Sequence, residues 1–311
     1  MTASPTKEDM TAFRPLTGTF EPSAIQQLPD GRFLVVEDEK SHPLSLVTLG
    51  ADGRVDTAAL TAGLFQMFSD FWKLDDLEGL ALDRAGFAYA ITSHSRDDDG
   101  DAKKSRERLV RFRIDADKVA DSKVVGGLKS ALAATHPVLA VAAQVRDVKT
   151  LGGLNIEALE ISPDQTRLLI GFRSPLHDGR ALVASVENPS AIFEADEAPR
   201  IAPVLEELDL GGHGIRALSY VPTLGAYLLI GGPVSRQRAK FELWLWSGQH
   251  GAPARRVTVP GLRGLERAEG VCPALIDGAE RVMIVSDDGD RKAGRFASYL
   301  LLDPAELQIA A

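Results

Sequence analysis

Short apolar stretches alternate with turn residues along most of the chain. The clearest instance lies within residues 154–175, where two apolar stretches, Ile156–Ile161 and Arg167–Phe172, flank a Ser-Pro-Asp turn. Apolar runs of this length, bounded by Ser, Pro and Asp, are typical of β-strands joined in a hairpin. The pattern therefore predicts an antiparallel β-hairpin in this part of the chain.

The same hairpin pattern recurs four more times. Alignment of the five copies defines one position, here called the key position, which precedes an aliphatic side chain by two residues. The key residues are Ser23, Glu78, Glu157, Arg216 and Glu269. Successive key residues are 53 to 79 residues apart. Repeats in this range predict a closed array of small sheets, with one sheet for each repeat.

Each copy continues into a third apolar stretch beyond its hairpin. These stretches are Leu44–Leu49, Arg108–Ile114, Ala181–Val186, Phe241–Trp246 and Ser298–Leu302. Candidate fourth strands precede the next key residue, among them Val145–Leu151, Val204–Leu210 and Arg256–Pro260. Four strands per repeat are typical of a propeller blade, so the chain is predicted to be an all-β, five-bladed β-propeller. A six-bladed ring is the alternative, if the long interval after Glu78 contains a degenerate unit.

The segments outside the repeats predict how the ring closes. Residues 1–12 are polar and expected to be flexible, whereas residues 13–311 are expected to form a single propeller domain. Phe13–Phe20 is predicted to supply the outer strand that closes the ring onto the last sheet. Short helices are expected on the rim: one within Ala58–Phe71, and one or two within Leu128–Ala143, with an interruption at Pro137.

Composition excludes several classes of partner. The formal net charge of −9 and the isoelectric point near 5.3 argue against nucleic acids and anionic membranes, which require a basic face. The lone cysteine, Cys272, cannot form an internal disulfide. The first residues lack the pattern of a signal peptide, so a cytoplasmic protein is expected. Nothing in the sequence identifies a protein partner.

The key residues predict a charged ring. The first strand of each propeller blade lines the central channel, so the five key side chains should converge there. Three carboxylates with one guanidinium leave an excess of negative charge. Buried charge is costly unless it is paired or bound to a metal. The ring is therefore expected to contain a positive group, which can be Arg216 itself, a proton or a cation.

A second set of polar residues follows the second strands of the hairpins: Asp38, Ser93, His94, Arg173 and Asp287. We expect them near the channel mouths or in the adjoining loops. His94 is a candidate general base because the imidazole pKa lies near neutrality, with a structural role as the alternative. Arg173 is a candidate anion-binding residue because its planar guanidinium suits phosphate or carboxylate, with an ion pair to Glu157 or Asp287 as the alternative.

The order of the key residues resembles that of calcium-dependent nucleotidases of the apyrase type. These are five-bladed propellers whose central Ca²⁺ is held by Ser, Glu, Glu, Ser and Glu, one from each blade. The resemblance implies Glu78, Glu157 and Glu269 as metal ligands and Ca²⁺ as the cofactor. Arg216 departs from the pattern because a guanidinium cannot coordinate a metal. A metal-free ion-pair plug is therefore the alternative, with no cofactor.

The chain is also similar to an uncharacterised bacterial family of predicted propellers, which is distantly similar to the esterase-like propellers grouped with phytases. The similarity is carried by residues 77–80, 91–95, 155–159, 171–173, 269–271 and 286–289. It implies a fold and no established reaction.

Two functional hypotheses follow for the channel. The first is a site at its mouth that binds, or hydrolyses with the help of a cation, a small anionic molecule such as a phosphoester. The second is a non-catalytic binding or scaffold propeller whose charged ring joins the blades. Propellers support both classes, so the fold does not decide whether the chain is an enzyme.

Overall fold

The computed structural model describes residues 12–38, 43–62, 69–146, 152–235, 240–265 and 267–310. Five antiparallel sheets surround a central channel, and the first strand of each contacts the first strand of the next until the ring is closed. The prediction of a five-bladed β-propeller is confirmed. No helix within the described ranges is both long and apolar enough to span a lipid bilayer.

Each blade runs outward from the channel in sequence order. Blade 1 contains β2 (Pro22–Gln27), β3 (Phe33–Glu37), β4 (Leu44–Leu49) and β5 (Val55–Ala59). Blade 2 contains β6 (Leu77–Leu82), β7 (Ala88–Thr92), β8 (Leu109–Asp115) and β9 (Lys118–Val125). Blade 3 contains β10 (Asn155–Ile161), β11 (Leu168–Ser174), β12 (Ala181–Val186) and β13 (Glu206–Leu208).

Both chain ends add strands to the last two blades. Blade 4 contains β14 (Gly214–Val221), β15 (Ala226–Gly232), β16 (Glu242–Trp246), β17 (Arg255–Thr258) and the C-terminal β21 (Gln308–Ile309). Blade 5 contains β18 (Ala268–Ile276), β19 (Ala279–Ser286), β20 (Ala297–Leu302) and the N-terminal β1 (Arg14–Leu16). In β1, Arg14 pairs with Tyr299 and Leu16 with Ala297, which confirms the predicted closure by the N-terminal strand.

One expectation outside the hairpins needs correction. The fourth strand of blade 2 is β9, which directly follows β8, and not the predicted Val145–Leu151, of which residues 147–151 lie outside the described residues. The helix expected within Ala58–Phe71 falls largely on residues 63–68, which lie outside the described part. On either side of them, Ala58 and Ala59 belong to β5, and a short 3-10 helix spans Asp70–Lys73. The N-terminal residues 1–11 are likewise not described.

Short helices lie between the strands. The predicted pair is confirmed as α1 (Leu128–Thr135) and α2 (Pro137–Gln144), since Pro137 occupies the first turn of the second helix, where its missing N–H has no cost. A third helix, α3 (Pro189–Glu194), follows β12. Further 3-10 turns span Lys104–Arg106, Pro222–Leu224 and Pro304–Glu306.

The hydrophobic core is divided into layers between neighbouring blades. Apolar side chains of adjoining sheets form one buried cluster at each of the five junctions. Between blades 2 and 3, for example, Ile91 and Ile170 are fully buried, and Leu132 and Leu139 of the helical pair cover the same layer. Stability therefore depends on how closely each blade packs on the next.

Every key residue lies at a β-bulge. In blade 1, Pro22 pairs with Glu37 and Ala24 with Val36, so Ser23 has no partner on β3. The register shifts in the same way at Glu78, Glu157, Arg216 and Glu269. Because a bulge adds one residue to one strand, it redirects the local side chain. The shared bulge explains why this position recurs in all five copies.

The residue after the key position is small in every blade: Ala24, Gly79, Ala158, Ala217 and Gly270. A Cβ atom at Gly79 would lie 2.7 Å from the backbone nitrogen of Leu159 in blade 3. A Cβ atom at Gly270 would lie 3.2 Å from Cγ2 of Ile25 in blade 1. This position faces the next blade, and its small side chain allows the first strands to approach closely around the channel.

We expect Gly79→Val to lower the free energy of unfolding by about 1–3 kcal/mol, because the added side chain overpacks the junction of blades 2 and 3. Urea denaturation measures the change. Ala58→Val is the matched control, since Ala58 is exposed on the outer strand β5 and its change should stay within about 0.5 kcal/mol. Equal stability of the two variants would contradict the assignment of Gly79 to the junction.

Candidate functional site

Arg216 connects three blades at the centre of the ring. Its Nε atom lies 2.7 Å from Oε2 of Glu157 in blade 3, and its Nη2 atom donates to Oε1 of Glu269 in blade 5. Arg216 is 6% and Glu157 is 4% exposed, so these charges are largely removed from water. Removal of either partner from such a buried ion pair leaves the other as an uncompensated charge, which strongly destabilises the fold.

The ring does not fit a central cation. Glu157 and Glu269, two of the three predicted metal ligands, both contact Arg216, and a guanidinium repels a metal and cannot coordinate one. The geometry agrees with the ion-pair alternative. Ser23 is buried in its bulge, while Glu78 forms no ion pair with any residue that the structure describes.

A cavity of about 680 Å³ opens at the face of the ring where the first strands begin. Residues from blades 1 to 3 supply most of its wall. Its carboxylate lining comprises Asp38, Asp76, Glu78, Asp97, Asp98 and Asp99. Its basic lining comprises Arg96, Arg106, Arg146 and Arg173. Carboxylates and guanidinium groups therefore line the same cavity, as expected of a binding site for a polar molecule.

Three of these carboxylates form a cluster. One oxygen each of Asp38, Asp76 and Glu78 lies within 4.8 Å of the others. Desolvation, and then the negative charge of Asp76, raise the pKa of Asp38 to about 8. Burial and the charge of Glu157 raise the pKa of Glu78 well above its ordinary value. The cluster thus carries more negative charge than it can hold without a proton or a cation.

Asp76 is held by donors on one side of its carboxylate. Its Oδ2 atom accepts hydrogen bonds from Oγ of Ser93 and from Oγ of Ser95 at 3.2 Å, and it forms an ion pair with Nη1 of Arg106 at 3.1 Å. Its backbone has a φ of 67°, in the left-handed region that non-glycine residues seldom adopt. Ser93, predicted near the mouth, therefore contributes by orienting Asp76.

His94 lies in the loop that follows β7, one of the two places expected for it, and its side chain is not at the channel mouth. It is fully buried, and it does not belong to the lining of the cavity. Its Nδ1 atom lies 2.8 Å from the carbonyl oxygen of Thr92, so Nδ1 carries the proton in a neutral ring. Burial lowers the pKa of His94 to about 4, so the ring is neutral at physiological pH. These positions favour the structural alternative for His94.

Arg173 contacts Glu157 and also reaches the cavity. Its Nη1 atom is 2.9 Å from Oε1 of Glu157, and its Nε atom donates to the carbonyl oxygen of Pro233 at 3.2 Å. Its side chain also forms part of the cavity wall. Asp287 follows β19 outside the cavity lining, and burial, with the charge of Glu21, raises its pKa to about 7.

Sequence reasoning missed Asp76, Arg106 and Asn155. Asp76 precedes the key residue Glu78 by two positions, and this spacing is the signal that the sequence offers. Asn155 also lies two residues before a key residue. Its Nδ2 donates to Oε1 of Glu157 at 3.1 Å, whereas its buried Oδ1 accepts no hydrogen bond from the residues that the structure describes. Arg106 is in a loop and offered no sequence signal.

A comparison with protein families matches residues 116–299, more than half of the chain, to the family described as "Protein of unknown function (DUF3616)". The chain belongs to the DUF3616 family. The similarity to an uncharacterised propeller family is thereby confirmed. A search of curated proteins found no match.

Solved propellers of other families resemble the DUF3616 chain only weakly. A Thermus thermophilus protein described as a putative oxidoreductase (glucose dehydrogenase) is 17% identical, with 94% of this chain and 99% of that chain covered and a TM-score of 0.47. A glucose dehydrogenase is 15% identical, with coverages of 93% and 98% and a TM-score of 0.48. The PQQ-bound aldose sugar dehydrogenase of Streptomyces coelicolor is 16% identical, with coverages of 93% and 96% and a TM-score of 0.42.

A further buried carboxylate in the DUF3616 chain joins blades 3 and 4. Oε2 of Glu160 accepts from Oγ of Ser219 at 2.7 Å and from the backbone nitrogen of Tyr220 at 3.0 Å. Its Oε1 accepts from the backbone nitrogen of Ile161 at 2.7 Å. Burial raises the pKa of Glu160 to about 7 in spite of these donors. Glu160 thus links the first strands of blades 3 and 4 through polar contacts, at a position along the channel other than that of Arg216.

We expect Arg216→Met to lower the free energy of unfolding by about 3–5 kcal/mol, because it leaves two buried glutamates without their shared counter-charge. Urea denaturation measures the change. Arg54→Met is the matched control, since Arg54 pairs with Asp56 at the exposed surface and should contribute at most about 1 kcal/mol. A similar loss in both variants would show that Arg216 does not stabilise the ring.

Between pH 6.5 and 8, the free energy of unfolding should fall as the pH rises. The folded-chain pKa values of Glu160 and Asp287, about 7, and of Asp38, about 8, lie above the ordinary values of 4.5, 3.8 and 3.8. A group with a raised pKa holds its proton longer in the folded state, so its contribution is present at low pH and lost as the pH rises through the folded value. His94 has the opposite effect between its folded value of about 4 and its ordinary value of 6.5, and this effect fades over the next pH unit.

Denaturation curves at four pH values across this window test the slope. Glu160→Gln should reduce it, since the amide does not titrate. A flat or rising slope in the unmodified chain would contradict the raised pKa values.

Proposed function

We propose that the chain binds a small anionic molecule at the channel mouth together with a divalent cation, which Asp38, Asp76 and Glu78 hold. The observation that carries this proposal is the presence of the carboxylate cluster and of four arginines in the lining of one cavity of about 680 Å³. A cavity of this volume accommodates a ligand of nucleotide or sugar-phosphate size.

Three features support a cation. The cluster offers oxygen ligands, which Ca²⁺ and Mg²⁺ prefer. Desolvation, and then the charge of neighbouring carboxylates, raises the pKa of Asp38 and of Glu78, and a bound cation would offset both effects. Asn155, in the same cavity wall, has a buried Oδ1 atom that accepts no hydrogen bond within the described part of the chain and is a further oxygen of the type that these ions bind. The cation is thus assigned to the cavity and not to the centre of the ring.

The basic residues support an anionic ligand. Arg106 and Arg173 flank the cluster and are themselves anchored, by Asp75 at 3.0 Å and by Glu157 at 2.9 Å. Anchored guanidinium groups retain a planar edge for a phosphate or carboxylate. Because cation and guanidinium groups adjoin one cavity, a phosphoester is the ligand class that uses both. Hydrolysis by water to a phosphate and an alcohol is the reaction that this arrangement favours.

A non-catalytic binding or scaffold propeller is the second candidate. Its support is the Arg216 ion-pair network, which joins blades 3, 4 and 5 without any ligand. If this alternative holds, the ion pairs of the ring stabilise the fold, and added cations do not bind in the cavity.

Thermal unfolding of the metal-stripped protein, with and without millimolar Ca²⁺ or Mg²⁺, tests the proposal. A cation that binds only the folded chain should raise the stability by about 2.7 kcal/mol at one hundred times its dissociation constant. Glu78→Gln and Asp76→Asn should abolish the increase in melting temperature. Asp56→Asn, at an exposed position on β5, is the control and should retain it.

No increase with either cation would contradict the proposed site and favour the scaffold. If the increase occurs, hydrolysis of p-nitrophenyl phosphate with each cation then tests the reaction class. Turnover that depends on the cation and is lost in Glu78→Gln is the expected result.

A further inference from the structure

The turn formed by Ser93, His94 and Ser95 has an unusual shape. His94 has a φ of 56°, in the left-handed region, and this conformation places the two serine hydroxyls 2.8 Å apart on the same side. Both hydroxyls contact the same oxygen, Oδ2 of Asp76. The turn is also joined to Asp76 through its backbone, because the nitrogen of Ser93 donates to the carbonyl oxygen of Asp76 at 2.9 Å.

His94 anchors this turn from within the protein. Its side chain is fully buried, and Nδ1–H donates to the carbonyl oxygen of Thr92. Its backbone nitrogen donates to the carbonyl oxygen of Arg106 at 2.8 Å, and Arg106 is the third residue that contacts Oδ2 of Asp76, through an ion pair. The imidazole ring, the turn and the arginine loop are therefore fixed relative to one another.

We propose that His94 is a positioning residue that holds the two serines and Arg106 on Oδ2 of Asp76, so that Oδ1 is presented to the ligand. This inference rests on the proposed function, since it assumes that Asp76 binds the cation. The geometry carries it, because all three side chains converge on a single oxygen of Asp76. Groups that orient a ligating carboxylate typically alter metal affinity when they are removed.

Two substitutions of His94 separate positioning from mere packing. His94→Leu keeps an apolar side chain in the buried space but removes the donor to Thr92. His94→Asn retains a donor nitrogen bonded to Cγ, as Nδ1 is, and asparagine tolerates the left-handed region better than most residues. We therefore expect His94→Leu to weaken Mg²⁺ or Ca²⁺ binding by roughly 10- to 100-fold, and His94→Asn to remain close to the unmodified protein.

Isothermal titration of the metal-stripped full chain with MgCl₂ or CaCl₂ measures the dissociation constant, and a melting curve of each variant is recorded in parallel. His136→Leu is the matched control, because His136 is also a buried histidine but lies between α1 and α2 and does not line the cavity. It should lower the melting temperature without changing the dissociation constant.

The serines provide a second test that does not depend on folding of the His94 variants. Ser93→Ala with Ser95→Ala should weaken cation binding by a similar factor, and addition of His94→Leu should cause no further loss. Independent losses that add would overturn the inference, because His94 would then not act through the serines.

The outcomes distinguish this inference from the proposed function. If the unmodified chain binds neither cation, the proposed function fails and the inference with it. A second outcome is that the unmodified chain binds a cation and Asp76→Asn abolishes this binding. If His94→Leu then leaves the dissociation constant unchanged, only the role of His94 is overturned. A loss in His94→Asn equal to that in His94→Leu would likewise overturn the assigned contact to Thr92.

Discussion

The buried ion-pair network of Arg216 is the constraint on which the channel depends. First strands of five blades bring ionisable side chains to one narrow axis, and their charges must be balanced there because water is largely excluded. Arg216 balances Glu157 and Glu269 and thereby joins three blades. Its side chain occupies the space that a cation at the centre of the ring would need.

The balance leaves Glu78 outside the network. It lies at the start of the first strand of blade 2, near Asp76 on the preceding loop and Asp38 at the end of β3. Three carboxylates without an ion pair to Arg216 then face a cavity whose other wall carries arginines. The fourth copy of the repeat has an arginine at the key position. This one residue separates the ion-paired centre of the channel from the open, charged cavity at its mouth.

The same residue types have different roles at different depths. His94 was a candidate base on chemical grounds, yet its full burial leaves it neutral and away from the cavity, where it supports the turn that orients Asp76. Arg173 is a candidate for anion binding or for an ion pair; it forms the ion pair with Glu157, and its side chain also lines the cavity. Burial and neighbours, which a sequence does not display, decide between such alternatives.

The sequence by itself determined the five-bladed ring, the closing strand β1 and the helices interrupted at Pro137. These follow from local patterns: apolar periodicity, turn residues, one proline and a repeat whose key position is always a bulge. Only the tertiary structure decided which charges pair. Arg216 reaches Glu157 and Glu269 across 59 and 53 residues of chain, and Asp38 reaches Asp76 from another blade. Such contacts depend on side-chain directions after ring closure, and no short-range pattern encodes them.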